Sequence, residues 1–180
     1  MNPADSTEIE LDELIGLFFD DRGVLGEFEN VNADQLHNPA RGLLDHSGHM
    51  TVTVEKYHGC PVNVKVLDTR VDGDRYSRRI LLTKSTDEQV VQYGIVRLDL
   101  TVLAPDVRAE IESQQTPLGR ILIRHNVLRT VKLENLFKIN CGEELARWFK
   151  VESGSSASGR TAMIFLDEQP AIELLEIVPG

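Results

Sequence analysis

A short run at the start of a predicted helix contains residue types that can bind an anion. Residues 116–120 read Thr-Pro-Leu-Gly-Arg, in which threonine can cap a helix and proline suits its first position. The first amides of a helix have no partner within the helix, so together with Gly119 and Arg120 they can hold a carboxylate. The alternative is an ordinary surface helix whose Arg120 pairs with an acidic side chain.

Two adjacent arginines lie on a predicted strand. Arg78 and Arg79 precede an Ile-Leu-Leu run, so one guanidinium must point to the covered side of the sheet and the other to the opposite side. Burying an unpaired charge is costly, so the inward arginine needs an anion. A bound acid can supply it, and the alternative is an internal ion pair with Glu173 or Glu176.

The two glutamates of the last predicted strand have different expected surroundings. Glu173 and Glu176 are three residues apart, so in a regular strand they point to opposite faces and only one can enter a given pocket. A glutamate in an apolar pocket has a raised pKa and can act as a general acid or base. At least one of the two is therefore expected to face solvent.

The overall charge limits the expected partners. Nineteen basic and twenty-nine acidic residues give a formal net charge of −10, so the chain as a whole repels phosphate backbones and anionic lipid surfaces. No nucleic acid or membrane partner is expected. An anionic ligand would also be repelled at long range, so its site must depend on locally placed arginines or helix amides.

The remaining reactive residues predict no metal and no cofactor. His46, His49 and His58 do not repeat the spacing of a known metal site, and histidines that cap backbone groups are the simpler interpretation. Cys60 and Cys141 also lack metal-type spacing and are expected to be small buried residues. No apolar run has the form of a signal peptide, so a reducing cytoplasm is expected. Serine-hydrolase, Walker and dinucleotide-binding motifs do not occur.

One domain is expected to position these residues. The chain has 180 residues, 41% of them hydrophobic, which suits a single domain. A T-x-x-E capping box at residues 7–10, followed by Leu11, Leu14, Ile15 and Phe18 at helical spacing, predicts an N-terminal amphipathic helix. Residues 20–39 are interpreted as an irregular arm. Residues 1–42 are thus expected to pack as a helix and arm on a main domain of residues 43–180.

The predicted fold class is α+β, with a single antiparallel sheet of about six strands and helices on one face. Period-two alternation from Met50 predicts the first strand, and turn residues at 72–74 and 85–88 separate the next strands. The strands are expected at residues 50–55, 62–71, 75–83, 89–102, 127–139, 160–166 and 171–178, and the later helices at 106–114, 117–124 and 143–149.

In their order and spacing, several short motifs resemble the chorismate lyase family and its divergent chorismate lyase-like branch. The most specific is Thr-Pro-Leu-Gly-Arg at residues 116–120. Before it come Leu-Leu-Asp at 43–45, Met-Thr-Val-Thr-Val at 50–54 and Arg-Arg-Ile-Leu-Leu at 78–82. After it come Gly159, Arg160 and a hairpin with Pro170, Glu176 and Pro179. The resemblance runs from near residue 43 to residue 179.

The resemblance implies an activity and a set of site residues. Members of this family cleave chorismate to 4-hydroxybenzoate and pyruvate without a cofactor, for quinone or other aromatic biosynthesis. Arg78 would bind the ring carboxylate with help from the main chain of Leu118, and Glu176 would handle the proton as the enolpyruvyl group leaves. The further substrate-binding residues would be Gly119, Arg120, Arg160 and Glu173.

Two other functions are compatible with the same residues. Ile95 stands where the family carries an arginine, with Arg97 at a shifted position, so the use of chorismate itself is left open. A non-catalytic module that binds an aromatic acid, like the effector-binding domains of bacterial transcription regulators, is the main alternative. The acidic charge and the lack of a DNA-binding helical motif argue against a regulator acting alone. A structural or partner-binding domain is the third reading, and the sequence does not indicate an oligomeric state.

Overall fold

The computed structural model describes residues 9–180, which form a seven-stranded sheet. In sequence order the strands are β1 (Gly26–Val31), β2 (Val62–Asp72), β3 (Arg75–Lys84), β4 (Val90–Asp99), β5 (Arg129–Cys141), β6 (Ser156–Leu166) and β7 (Gln169–Pro179). Across the sheet their order is β1-β5-β6-β7-β4-β3-β2, and every neighbouring pair is antiparallel. The last strand therefore lies at the centre and joins the β2–β4 meander to the other three strands.

Six short α-helices accompany the sheet in the described residues. They are α1 (Leu11–Gly16), α2 (Ala40–Leu44), α3 (Met50–His58), α4 (Pro105–Glu112), α5 (Leu118–Arg124) and α6 (Glu143–Phe149). Helices α2–α5 are gathered on one face, and the two short helices α1 and α6 pack on the other. The predicted α+β class with a single antiparallel sheet is confirmed. Between residues 9 and 180, no helix has the length and apolar character needed to cross a membrane.

Strand alternation divides the core between the two faces of the sheet. Leu81, Tyr93 and Ile177 pack with α1 and α6, whereas Val96 and Leu174 pack with α4 and α5 on the other face. Full burial of one such aliphatic side chain contributes about 1.5–3 kcal/mol, so each layer is strongly held to the sheet. The helix-rich α2–α5 face is the one that receives the polar residues described below.

Residues 50–55 belong to α3, so the strand predicted there is wrong. The helix buries Met50, Thr51 and Val54, which share one side of a helix, while Val52 remains 49% exposed. It ends at Gly59, whose φ of 67° suits glycine. β-branched residues oppose a helix only weakly, and burial of one helix side against neighbouring elements outweighs that preference.

Residues 20–39 contain β1, so the interpretation of this segment as an irregular arm is also wrong. β1 pairs with β5 along its whole length, from Gly26 opposite Cys141 to Val31 opposite Leu136. It is an edge strand with several exposed polar residues, which explains its weak apolar signal. Helix α1 is present where the amphipathic N-terminal helix was predicted, with Leu11 as its first residue, while Thr7 of the capping box lies outside the described residues.

The predicted hairpin turns are present. Gly73 has a φ of 57° in the turn between β2 and β3. Asp167 and Glu168, with φ values of 48° and 66°, connect β6 to β7, and two consecutive positive φ values are typical of a type I′ hairpin turn. These turns join β2 to β3 and β6 to β7, and the long-range pairing of β4 with β7 brings the candidate site together.

Candidate functional site

A small cavity lies between the sheet and the first residues of α3 and α5. Its volume is about 40 Å³. Strands β3, β4 and β7 supply its floor, and the two helix starts supply its roof. Most of its lining is apolar, from residues such as Ile80, Leu82 and Leu174. The polar side chains that line it are His49, Thr51, Arg78, Gln92 and Glu176.

Arg78 is a buried cation without an anionic partner. Its side chain is 1% exposed, and its Nη1 donates one long hydrogen bond of 3.4 Å to the carbonyl oxygen of Ile111. Its Nε has no partner among residues 9–180, and none of the ion pairs formed within that range includes it. Burial lowers the pKa of the Arg78 guanidinium, yet arginine stays protonated in proteins. The buried positive charge is therefore left uncompensated.

Strand β4 contributes open space and an amide to the cavity floor. Gly94 lies between Ile80 on β3 and Glu176 on β7. A Cβ at this position would lie 3.3 Å from the Ile80 side chain, so a larger residue would fill the floor. Two residues earlier, Gln92 is 3% exposed, and its Oε1 is buried with no hydrogen-bond partner in the described chain.

Glu176 enters the cavity while it is bound to Arg160. Its Oε2 accepts a hydrogen bond of 2.7 Å from Arg160 Nε across the β6–β7 pair. Arg160 is fully buried and does not line the cavity. Its other donors bind the carbonyl oxygens of Leu44, His46 and Gly48 at 3.2, 2.8 and 3.1 Å. Arg160 thus fixes the α2–α3 loop to the sheet and orients Glu176.

His49 separates the cavity from an outer groove. This groove has a volume of about 640 Å³ and is lined by residues 47–49 and 126–131, so His49 lines both spaces. Burial, followed by the charges of Arg129 and Arg160, lowers the pKa of His49 to about 4. The imidazole is therefore neutral at pH 7 and its Nε2 accepts a hydrogen bond from Arg129 Nε.

The start of α5 forms part of the cavity roof. Leu118 and Gly119 line the cavity, while Pro117 occupies the cap position and no side chain caps the helix. The expectation that Thr116 caps this helix is therefore wrong. A Cβ on Gly119 would lie 3.1 Å from Thr51 Oγ1, so the glycine allows α5 to approach α3 closely.

Arg120 joins the two roof helices instead of lining the cavity. It forms an ion pair with Glu55 on α3. The same Glu55 oxygen accepts a hydrogen bond of 2.9 Å from the amide of Val62 at the start of β2. This is the pairing with an acidic side chain that the sequence left open for Arg120. Its position makes the Arg120–Glu55 pair a latch between the two helices that cover the cavity.

Glu173 lies on the opposite face of the sheet from Glu176. It accepts a hydrogen bond of 2.7 Å from Arg97 Nη2, away from the cavity. Arg79 points to the same opposite face and forms an ion pair with Glu144 on α6. The alternation expected for the two arginines and for the two glutamates is therefore present, but the expectation that one glutamate faces solvent is wrong, because the Glu173 side chain is only 14% exposed and is paired with Arg97.

The structure brings together only some of the residues singled out in the sequence. Arg78, Glu176, Leu118 and Gly119 line one cavity. Arg160 and Arg120 stand behind its wall and roof, and Glu173 is outside it. Within residues 9–180, no group of three or more histidine, cysteine or acidic side chains is placed to hold a metal ion.

Three lining residues were missed by sequence reasoning. His49 and Thr51 were assigned to the end of a turn and to a strand, because the start of α3 was not recognised. Gln92 gave a weak signal, a polar residue inside the apolar run that continues through Tyr93. A polar residue on the buried side of a central strand is uncommon, and that was the available sign of a site.

Comparison with known proteins gives a fold but no sequence family. No family model matches the chain, and no curated protein sequence is significantly similar to it. Among solved structures, the effector domain of PhnF from Mycobacterium smegmatis is similar with a TM-score of 0.55 and 11% identity, over 74% of this chain and 89% of that one. PhnF itself gives a TM-score of 0.54 and 11% identity, over 74% of this chain and 64% of that one.

A third similar structure is a protein from Escherichia coli CFT073 described as a regulator, with a TM-score of 0.52 and 13% identity, over 65% of this chain and 95% of that one. By their names, these neighbours are a regulator, PhnF and the effector domain of PhnF, and none is named as a lyase. The expectation that the chain is a chorismate pyruvate-lyase is therefore wrong. The chain shares the fold of these three structures.

Proposed function

We propose that this chain is a non-catalytic ligand-binding domain that takes up a small organic acid and holds its carboxylate on Arg78. The observation that carries the proposal is the uncompensated guanidinium in the cavity, buried at 1% exposure with its Nε unpaired. A buried charge without a partner is strongly unfavourable, and a carboxylate bound by a guanidinium removes that cost with charge-assisted hydrogen bonds.

The surroundings of Arg78 favour an acid with an apolar body. The cavity wall is built mainly from aliphatic side chains, with Ile80, Val96 and Leu174 next to the arginine end. Small-molecule sites typically combine such an apolar lining with a few placed polar groups. An aromatic ring with one carboxylate fits this pattern, so 4-hydroxybenzoate and chorismate are the first probes.

Binding of such an acid requires the roof to move. A cavity of about 40 Å³ holds a few water molecules, whereas sites for small organic ligands are typically about 300–1,000 Å³. The sheet floor is fixed by strand pairing on both sides. The helices α3 and α5 meet at Gly119 and are tied by the Arg120–Glu55 latch, so they are the elements that would separate.

The comparisons favour this proposal over an enzyme. The neighbours above 0.5 in TM-score are regulators or effector domains, and one of them is the effector domain of PhnF. At 11–13% identity they do not identify the ligand of this chain. Its choice of acid must come from its own lining residues.

The test is calorimetric titration with 4-hydroxybenzoate, chorismate and benzoate, supported by melting temperatures. We expect at least one acid to bind and to raise the melting temperature of the wild-type chain, with binding lost in Arg78→Met. Arg108→Met is the matched control, because Arg108 is an exposed arginine on α4 that pairs with Glu112. Equal binding by Arg78→Met, or no stabilisation by any carboxylate, would exclude the proposal.

A further inference from the structure

Gln92 is a second buried residue of the cavity with a polar atom, Oε1, that has no partner in the described part of the chain. It lies on the central strand β4 and is 3% exposed. Its Oε1 is buried and accepts no hydrogen bond from any residue in the 9–180 range. An unpaired buried carbonyl costs free energy that an aliphatic residue of similar size would not, so Gln92 does not serve the stability of the sheet.

The position of Gln92 relative to Arg78 is set by strand register. Arg78 lies opposite Val96 on β4, and Leu82 lies opposite Gln92. Four residues along β4 therefore separate the two ends, or about 13–14 Å between backbones at about 3.4 Å per residue. Both side chains line the cavity. Their polar groups thus bracket a ligand with a polar group at each end.

Gly94 lies midway between these two ends. Its missing side chain leaves the centre of the floor open, since a Cβ there would lie 3.3 Å from Ile80 and 3.4 Å from the carbonyl oxygen of Leu175. An apolar ring can occupy this central position. The floor is therefore polar at its two ends, and its open centre is bordered by Ile80 on one side and by Glu176, which Arg160 holds, on the other.

We infer that Gln92 determines ligand specificity by accepting a hydrogen bond from a donor at the end of the ligand opposite the carboxylate. The ligand class is an aromatic acid with a hydroxyl or amino group on the far side of the ring. This inference rests on the proposed function, because it needs the carboxylate to be held at Arg78. It adds the requirement for a distal hydrogen-bond donor on the ligand, which Arg78 alone does not impose.

The test compares two acids that differ only in the distal group. 4-Hydroxybenzoate and 4-methylbenzoate have the same charge and nearly the same size, but only the first can donate to Gln92. We expect the wild-type chain to bind 4-hydroxybenzoate about tenfold or more tightly, since leaving the carbonyl unpaired costs at least that factor. In Gln92→Met this preference should disappear, while Arg78→Met should bind neither acid.

Gln89→Met is the matched control, because Gln89 is exposed at the turn before β4. This variant should keep the tenfold preference. The unliganded Gln92→Met chain should also melt about 2–4 °C higher than the wild type, because the unpaired carbonyl is gone. That shift shows that the variant is folded and separates lost recognition from lost structure.

The possible results separate this inference from the proposed function. Equal affinity of the wild type for the two acids, with binding still lost in Arg78→Met, would overturn the role of Gln92 and leave the acid-binding function standing. If Gln92→Met still prefers 4-hydroxybenzoate over 4-methylbenzoate, the role of Gln92 is likewise overturned, because the ligand hydroxyl then donates to another residue. If neither acid binds in an Arg78-dependent manner, the proposed function fails and the specificity role fails with it.

Discussion

Arg78 is held in the folded chain at a cost that a bound carboxylate would remove. Its surroundings are mainly apolar apart from the hydroxyl of Tyr76, and it has one long hydrogen bond and an unpaired Nε. We expect Arg78→Met to raise the free energy of unfolding of the unliganded chain by about 1–3 kcal/mol, because methionine fills the space without a buried charge. Denaturant unfolding at pH 7 measures this change.

Arg108→Met again serves as the control for Arg78→Met. Arg108 is exposed and its ion pair with Glu112 is of the i, i+4 type, so its loss should change the unfolding free energy by less than about 0.5 kcal/mol. A marked destabilisation by Arg78→Met would mean that the guanidinium has favourable partners in the unliganded state. The inference of an anion site would then lose its physical basis.

His49 gives the chain a predictable dependence of stability on pH. Burial and the nearby Arg129 and Arg160 hold its folded-state pKa at about 4, below the ordinary value of 6.5. Only the unfolded chain then takes up the proton between these values, so this contribution to stability is complete above pH 6.5 and is lost as the pH falls towards 4. After allowance for partial exposure, the loss is on the order of 1–2 kcal/mol.

The measurement for His49 is a comparison of wild type and His49→Gln in denaturant unfolding at pH 7.0 and pH 5.0. Carboxylates also titrate towards pH 4, so the informative quantity is the difference between the two proteins. The wild type should lose more stability than the variant over this interval. Equal losses of unfolding free energy in the two proteins would show that His49 can be protonated in the folded state. It would then not be the neutral side chain that separates the cavity from the outer groove.

Among the elements, α3 and α5 control access to the cavity. Their contact depends on Gly119 and on the Arg120–Glu55 latch. We expect Arg120→Met to reduce stability by about 1 kcal/mol and to increase hydrogen exchange in α3 and in the first turn of α5. Association of an acid should become faster, because opening of the roof precedes binding.

Arg124→Met is the control for the latch, since Arg124 lies on the same helix but pairs with Glu110 on α4. It should leave exchange in α3 and the association rate unchanged. If both variants accelerate binding equally, α5 moves as a whole and the latch has no separate role. If neither does, the entry route lies elsewhere, for example past His49 from the outer groove.

The elements also show what the sequence could and could not predict. The β2–β4 meander and the closing hairpin follow from alternation and turn residues, and they separated Arg78 from Arg79 and Glu173 from Glu176 onto opposite faces. Residues 50–55 were misread because Met-Thr-Val-Thr-Val alternates like a strand, while packing of one helix side decided the outcome. Strand β1 was missed because its pairing with β5 is long-range and leaves little local pattern.

The site was predictable to the extent that it depends on the alternation of side chains along a strand. Alternation showed that one arginine and one glutamate point inward, and the family resemblance selected Arg78 and Glu176. Neither predicted the hydrogen bond between Glu176 and Arg160, which depends on the adjacent strands β6 and β7. Alternation also gave no reason to select Gln92, whose importance depends on the lack of a partner in three dimensions. Absence of a partner is a property of the folded molecule and has no local sequence signature.

At the scale of the whole molecule, β7 lies at the centre of the sheet and joins the two groups of strands on either side of it. It pairs with β4 on one side and β6 on the other, so the cavity floor and the Arg160 anchor meet only when this last strand is in place. The binding site therefore depends on long-range pairing. Contacts of this kind generally form late, because the loops between them must be closed first.

The net charge of the whole molecule should affect how fast an anionic ligand associates, because an acidic chain repels an anion. At −10 the chain repels a carboxylate at long range, while Arg78 attracts it only inside the cavity. Added salt shortens the screening length from about 30 Å at 0.01 M to about 10 Å at 0.1 M, so it should weaken the repulsion more than the buried contact. We expect the association rate of 4-hydroxybenzoate to rise severalfold between 10 and 300 mM NaCl, as measured by stopped-flow fluorescence.

The variant Glu27→Lys/Glu29→Lys tests the origin of that effect, because both side chains are exposed on the edge strand β1. Each replacement changes the charge by two, so the net charge becomes −6. Association at low salt should be faster in this variant and its salt dependence should be weaker. A rate that falls with salt in the wild type would instead mean that the local field of Arg78 and Arg129 reaches beyond the roof and outweighs the net charge, which would place ligand capture at the outer groove.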